Sequence, residues 1–145
     1  MDKNHPPLAF GVFNPVGHVL LAFRTATATQ TMLPLLAQSG FDVAPTTYSP
    51  EEMIAQVDHA LADASPLAIF GQELNLATAH REMAVLGCSF LVVPAPHLAQ
   101  AQQVAALGRT CKALSAQYYG RFVIEELIRA PADMTAIDIL AEHKL

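Results

Sequence analysis

Two stretches of this chain repeat one plan at an offset of seventy residues. Gly17 to Phe23 is an apolar run that leads into an Ala/Thr/Gln-rich segment, then Gly40-Phe41, then a strand-like run ending at Tyr48. Gly87 to Val93 leads in the same way into an Ala/Gln-rich segment, Gly108, and a strand-like run ending at Tyr118. Each copy reads strand, helix, strand. The match is one of pattern, with identity only at Gly17/Gly87, Leu21/Leu91, Gln30/Gln100 and Tyr48/Tyr118. It constrains the fold because two βαβ halves assemble into one α+β domain.

Local signals place the elements. Asn14-Pro15-Val16-Gly17 reads as a turn before a first strand, 18–23, that is apolar on both faces and therefore central. Residues 25–39 read as a helix capped by Thr25 or Thr27, with Pro34 as a kink or a restart. Gly40 suits the residue just past its end. Residues 42–48 form a second strand, at an edge because of Pro45. Ser49-Pro50-Glu51-Glu52 carries a cap, a proline at the first helical position and a capping-box glutamate. The helix 50–63 follows. Ser65-Pro66 opens another, 66–86, with a break near Gly71. Residues 89–93 are the third strand, 97–107 a helix and 112–118 the fourth strand. Phe122 to Ile128 reads more as a helical turn than as a strand, and Asp133 caps a last helix, 134–142.

The predicted architecture is a single ferredoxin-like α+β domain over residues 1–145, βαβ-(αα insertion)-βαβ. Its four-stranded antiparallel sheet would carry helices mainly on one face. The insertion spans 50–86 and the C-terminal tail 129–145.

Composition narrows the function. The chain is 52% hydrophobic and only 14% charged, below the usual quarter. A surface that poor in charge predicts a homo-oligomer, with a further protein partner or a small-molecule ligand as the other contact to expect. The net charge of −5 and the scattered Lys and Arg exclude a phosphate-binding face, so no nucleic acid is expected. No apolar run approaches the twenty or so residues of a membrane span, and the first residues lack a signal core. A cytoplasmic protein with reduced, structural Cys88 and Cys111 is expected.

No cofactor or catalytic motif is present, and no metal site is expected. His18 and Cys88 hold corresponding places in the two copies, both at strand starts, and Cys111 is read as opening the fourth strand. Without further converging ligands they do not make a zinc set. His59 and Asp63 suit a surface ion pair. Glu73 and His80, two turns apart on the second inserted helix, are the one plausible acid/base pair. They would serve a small enzyme whose site lies between the sheet and the insertion. Tyr118, Tyr119 and Arg121 are the densest interaction-prone group and predict a ligand or subunit contact.

Gly17-His-Val-Leu-Leu-Ala-Phe23, the Gly40-Phe41 exit, Tyr48-Ser-Pro-Glu-Glu-Met53 and Tyr119-Gly-Arg-Phe-Val-Ile-Glu-Glu-Leu-Ile128 together resemble small, uncharacterised proteobacterial proteins. These are distantly similar to the heat-induced general stress protein family. The resemblance spans residues 10–128. It implies a stress-associated accessory role in a bacterial cytoplasm and no particular reaction. The combined expectation is a non-enzymatic interaction or small-ligand-sensing module acting as a homo-oligomer.

Overall fold

The computed structural model describes residues 1–9, 12–42, 44–62 and 72–130. Short strands β1 (Leu8–Ala9) and β2 (Val12–Phe13) pair antiparallel ahead of the main sheet. Then come β3 (His18–Phe23), α1 (Ala26–Gln38), β4 (Thr46–Tyr48), α2 (Pro50–Ala62), α3 (Gln72–Val85), β5 (Ser89–Pro94), α4 (Leu98–Thr110), β6 (Ser115–Tyr119) and β7 (Ile124–Ile128). The fold is α+β. Its main sheet has five antiparallel strands in the order β4-β5-β3-β6-β7. The first strands of the two copies, β3 and β5, lie side by side, with Leu20 opposite Val92 and Phe23 opposite Ser89.

The fifth strand corrects the expected count of four. Residues 124–128 pair with β6 instead of turning helically, with Tyr119 opposite Ile124 and Gln117 opposite Glu126. At an edge, a strand can point charged side chains to water, so the Glu125-Glu126 pair does not oppose it. A bulge shifts the register, so that Ala116 faces Ile128 and Leu127 is the extra residue.

Both faces of the sheet are covered, which is why Val19 to Phe23 are apolar without alternation and fully buried. Val19, Leu21, Phe23, Leu91 and Val93 pack on one side with Met32 and Leu36 of α1 and Val104 of α4. The helices of the two copies therefore share a side, as the repeat predicts. Leu20, Ala22, Phe90 and Val92 point to the other side, where Met53 and Val57 of α2 and Ala77, Met83 and Ala84 of α3 close over them. The insertion lies on the sheet. Arg81 of α3 reaches Asp58 of α2 through Nε–H···Oδ1 at 2.6 Å and Nη2–H···Oδ2 at 3.1 Å, tying the two inserted helices together.

Helix ends follow the local chemistry. Thr25 caps α1, its Oγ1 accepting from the Ala28 amide at 3.2 Å. Pro34 neither ends nor restarts α1: it lies inside the helix, on its exposed face, as does Gln30 one turn before it. Gly40 has φ +89°, and the amides of Gly40 and Phe41 return to the carbonyls of Ala37 and Leu36. At α4 the same ending is built on Lys112, with φ 62°. Its amide and that of Ala113 bond the carbonyls of Arg109 and Gly108. Lys112 therefore terminates a helix and does not open a strand, and Cys111 sits at the end of α4. The expected helix start at Ser65-Pro66, the break at Gly71, Asp63 and the helix 134–142 lie outside the described residues.

Gly120 closes the turn between β6 and β7. A Cβ there would stand 2.7 Å from the Val123 carbonyl oxygen, the atom that accepts the Gly120 amide at 2.9 Å. Gly120→Ala must open this turn. It is expected to lower the unfolding free energy by about 1–2 kcal/mol in urea denaturation, within the usual range for a backbone clash.

Candidate functional site

The capping box of α2 forms as its sequence requires. The Glu52 amide donates to Ser49 Oγ at 3.1 Å, and Glu52 Oε1 accepts the Ser49 amide at 3.0 Å. That leaves Oε2 as a fixed, outward acceptor, and Lys3 Nζ donates to it at 2.8 Å. The same ammonium stands 4.8 Å from the centroid of the Tyr48 ring. Tyr48 ends β4 opposite Phe90, is buried, and meets Phe13 edge-on with centroids 6.1 Å apart. The N-terminal residues thus lie against the start of α2.

Between them is a cavity of about 440 Å³. Glu52, Gln56 and His59 line it from α2 at helical spacing, Lys3, Pro6 and Leu8 from the N-terminal segment, and Tyr48 from β4. This volume falls within the usual range for small-molecule sites. The Lys3 ammonium and the Ser49 amide hold the Glu52 carboxyl below its ordinary pKa. Burial, then the negative charges of Glu52 and Asp2, pushes the Tyr48 phenol up to about 12, so it is protonated at neutral pH. Its hydroxyl is buried and has no hydrogen-bond partner among the described residues. An orphaned buried hydroxyl costs about 1–3 kcal/mol, and here it belongs to a residue that walls a cavity.

The residues singled out by sequence lie elsewhere. His80 of α3 is 2% exposed and points at the sheet. Its Nε2 lies 2.9 Å from Gln117 Oε1 of β6, and its ring meets Phe90 edge-on at 5.8 Å. Burial lowers its pKa to about 4 against the opposing pull of the Gln117 bond, so the ring is neutral at pH 7. Glu73 lies in α3, and its side chain is outside the described ones. Tyr118 is 8% exposed and donates its hydroxyl to the Pro96 carbonyl at 3.1 Å. Tyr119 is fully within the core on the opposite face. Arg121 is exposed, its guanidinium 5.6 Å from the Phe122 ring. Sequence reading named neither Lys3 nor Tyr48 as a site residue, and saw Glu52 only as a cap.

His18 and Cys88 do not meet. β3 and β5 run antiparallel, so His18 stands opposite Pro94, and Cys88 lies at the other end, beside the Phe23–Ser89 pair. Cys88 and Cys111 are free thiols, and burial pushes the first up to about 11. Among the described residues no three His, Cys, Asp or Glu side chains converge on a metal position. Nor is any described helix long and apolar enough to cross a membrane.

No protein-family model, curated protein or solved structure matches this chain.

Proposed function

We propose that this chain is a non-enzymatic small-ligand-sensing module whose ligand occupies the cavity between the N-terminal segment and α2. The observation that carries the reading is the cavity of about 440 Å³ itself, where the Lys3 ammonium stands between the Glu52 carboxylate and the Tyr48 ring. A concave site with a largely apolar lining and a few fixed polar groups is the usual form of a small-molecule site. The fold reading that goes with it is a ferredoxin-like unit of β4-β5-β3-β6 with α1 and α4, and β7 added at one edge. The central pairing of β3 with β5 supports it. The homo-oligomer reading is supported by the β6–β7 turn, where Phe122 is 90% and Val123 60% exposed. A large apolar ring that open to water beside Arg121 suits a subunit contact. A stress-associated, cytoplasmic role is carried by the sequence resemblance alone.

The test is a native mass spectrum of the protein purified gently from its own host, repeated with Ala55→Trp, whose ring would fill the cavity from the exposed side of α2. The wild type is expected as an oligomer with a small-molecule adduct, and Ala55→Trp without the adduct. Tyr48→Phe should keep the adduct and be more stable by about 1 kcal/mol in thermal or urea melts, because it sheds a buried, unsatisfied group. An adduct that survives Ala55→Trp would place the ligand elsewhere.

A further inference from the structure

The contents of the cavity wall narrow the ligand's chemistry. We infer that the cavity takes an alkylammonium group in the position Lys3 Nζ now holds, Lys3 acting as a tethered competitor for its own protein's ligand. The inference rests on the reading of this cavity as a ligand site.

A carboxylate beside an aromatic face is a cation receptor: the carboxylate pairs with the charge and the ring's quadrupole attracts it from the other side. Both halves of this receptor are fixed. Glu52 is held by the capping box through one oxygen, which leaves the other aimed at Lys3. The Tyr48 ring is buried and braced edge-on by Phe13. The cation is the movable part. Lys3 carries its ammonium on a flexible four-carbon stem, and its side chain is 35% exposed while that of Glu52 is 49% exposed. An ion pair that open to water is weak and exchanges readily.

An anion fits less well. To use Lys3 it would have to displace Glu52, which is the anchored partner. It would also enter a wall already carrying the Glu52 charge. The apolar side of the ligand has a place too, since Pro6, Ala55 and Ala60 line the same cavity. The ligand class is therefore a primary or quaternary ammonium with a short apolar body. While Lys3 occupies the site, only the fraction of molecules with Lys3 withdrawn is competent, and the apparent affinity falls by that fraction. Binding would free Lys3 and loosen the N-terminal residues from α2, which is the change a partner could read.

The experiment titrates n-butylammonium and butyrate separately into the protein and follows the backbone amide resonances. Butylammonium is expected to move the amides of Tyr48, Glu52, Gln56 and His59. Lys3→Met should bind it about three- to tenfold tighter, because the competitor is gone. Glu52→Gln should abolish binding while leaving α2 intact, since glutamine also closes a capping box. Unchanged butylammonium affinity in Lys3→Met would overturn the competitor role. Butyrate binding that is lost in Lys3→Met would overturn the ammonium assignment and leave the cavity standing as an anion site. If neither probe moves these resonances in any of the three proteins, the inference fails. An adduct retained from the host and lost in Ala55→Trp would still uphold the cavity as the site of a different ligand.

Discussion

Phe90→Ala is expected to lower the unfolding free energy by about 3–5 kcal/mol, the range for removing a buried aromatic ring. Phe90 is fully buried on β5, one of the inner strands. Tyr48 and Ala22 stand directly beside it on the neighbouring strands, and the His80 ring meets it from above. The hole left by the ring is therefore bounded by two paired strands and a pinned helix, none of which can move in without breaking hydrogen bonds. Such a site collapses poorly, which puts the cost toward the upper end. Phe90→Leu keeps most of the volume and should cost about 1–1.5 kcal/mol. Urea denaturation at pH 7, with the slope against denaturant checked for constancy, separates these values. A loss below 2 kcal/mol for Phe90→Ala would mean that α3 or β4 relaxes into the space. The sheet's second face would then be softer than its burial implies.

The parts of this fold that were legible in the sequence are those whose cause is local. Ser49-Pro50-Glu51-Glu52 announced α2 because every group in a capping box lies within four residues, and the geometry repeats the pattern atom for atom. Gly40 and Gly87 announced helix ends because both take positive φ. The third such ending was hidden by Lys112, which adopts φ 62° without being glycine, so the fourth strand was read as beginning there, three residues early. β7 was hidden because its two glutamates suit a helix locally, and only pairing with β6 and the edge position favour a strand. The candidate site was not legible at all. Lys3 and Glu52 are 49 residues apart, and nothing in either neighbourhood calls for the other. His80 stands in a polar stretch of α3 and was singled out with Glu73 as an acid/base pair. That stretch turns one polar side chain inward because β6 offers Gln117 beneath it, a partner 37 residues away.

Acidification is expected to weaken the fold well above the pH at which its carboxylates titrate, and His80 is the cause. Burial depresses its pKa to about 4, against an ordinary 6.5 in the unfolded chain. Between those values the unfolded state holds the proton and the native state does not, so stability rises with pH across the window and falls as pH drops from 6.5 towards 4. The slope approaches about 1.4 kcal/mol per pH unit, and the total is about 3 kcal/mol. From pH 7 to pH 5 the loss is about 2 kcal/mol. Asp2, Glu52 and Asp58 are held below ordinary values of 3.8, 4.5 and 3.8, so their contributions fade only as the pH falls further. Urea midpoints at pH 7 and pH 5 therefore isolate the histidine. His80→Leu alone strands the Gln117 oxygen and should cost about 1–3 kcal/mol at pH 7. His80→Leu with Gln117→Leu removes both polar groups and should recover most of that loss. Both variants should lose most of the drop between pH 7 and pH 5. An equal drop in wild type and the double variant would show that the imidazole exchanges its proton freely in the native state. That finding would restore His80 as a candidate base. The expected result, a drop in the wild type that both variants largely lose, makes it a neutral peg that fastens α3 to the sheet.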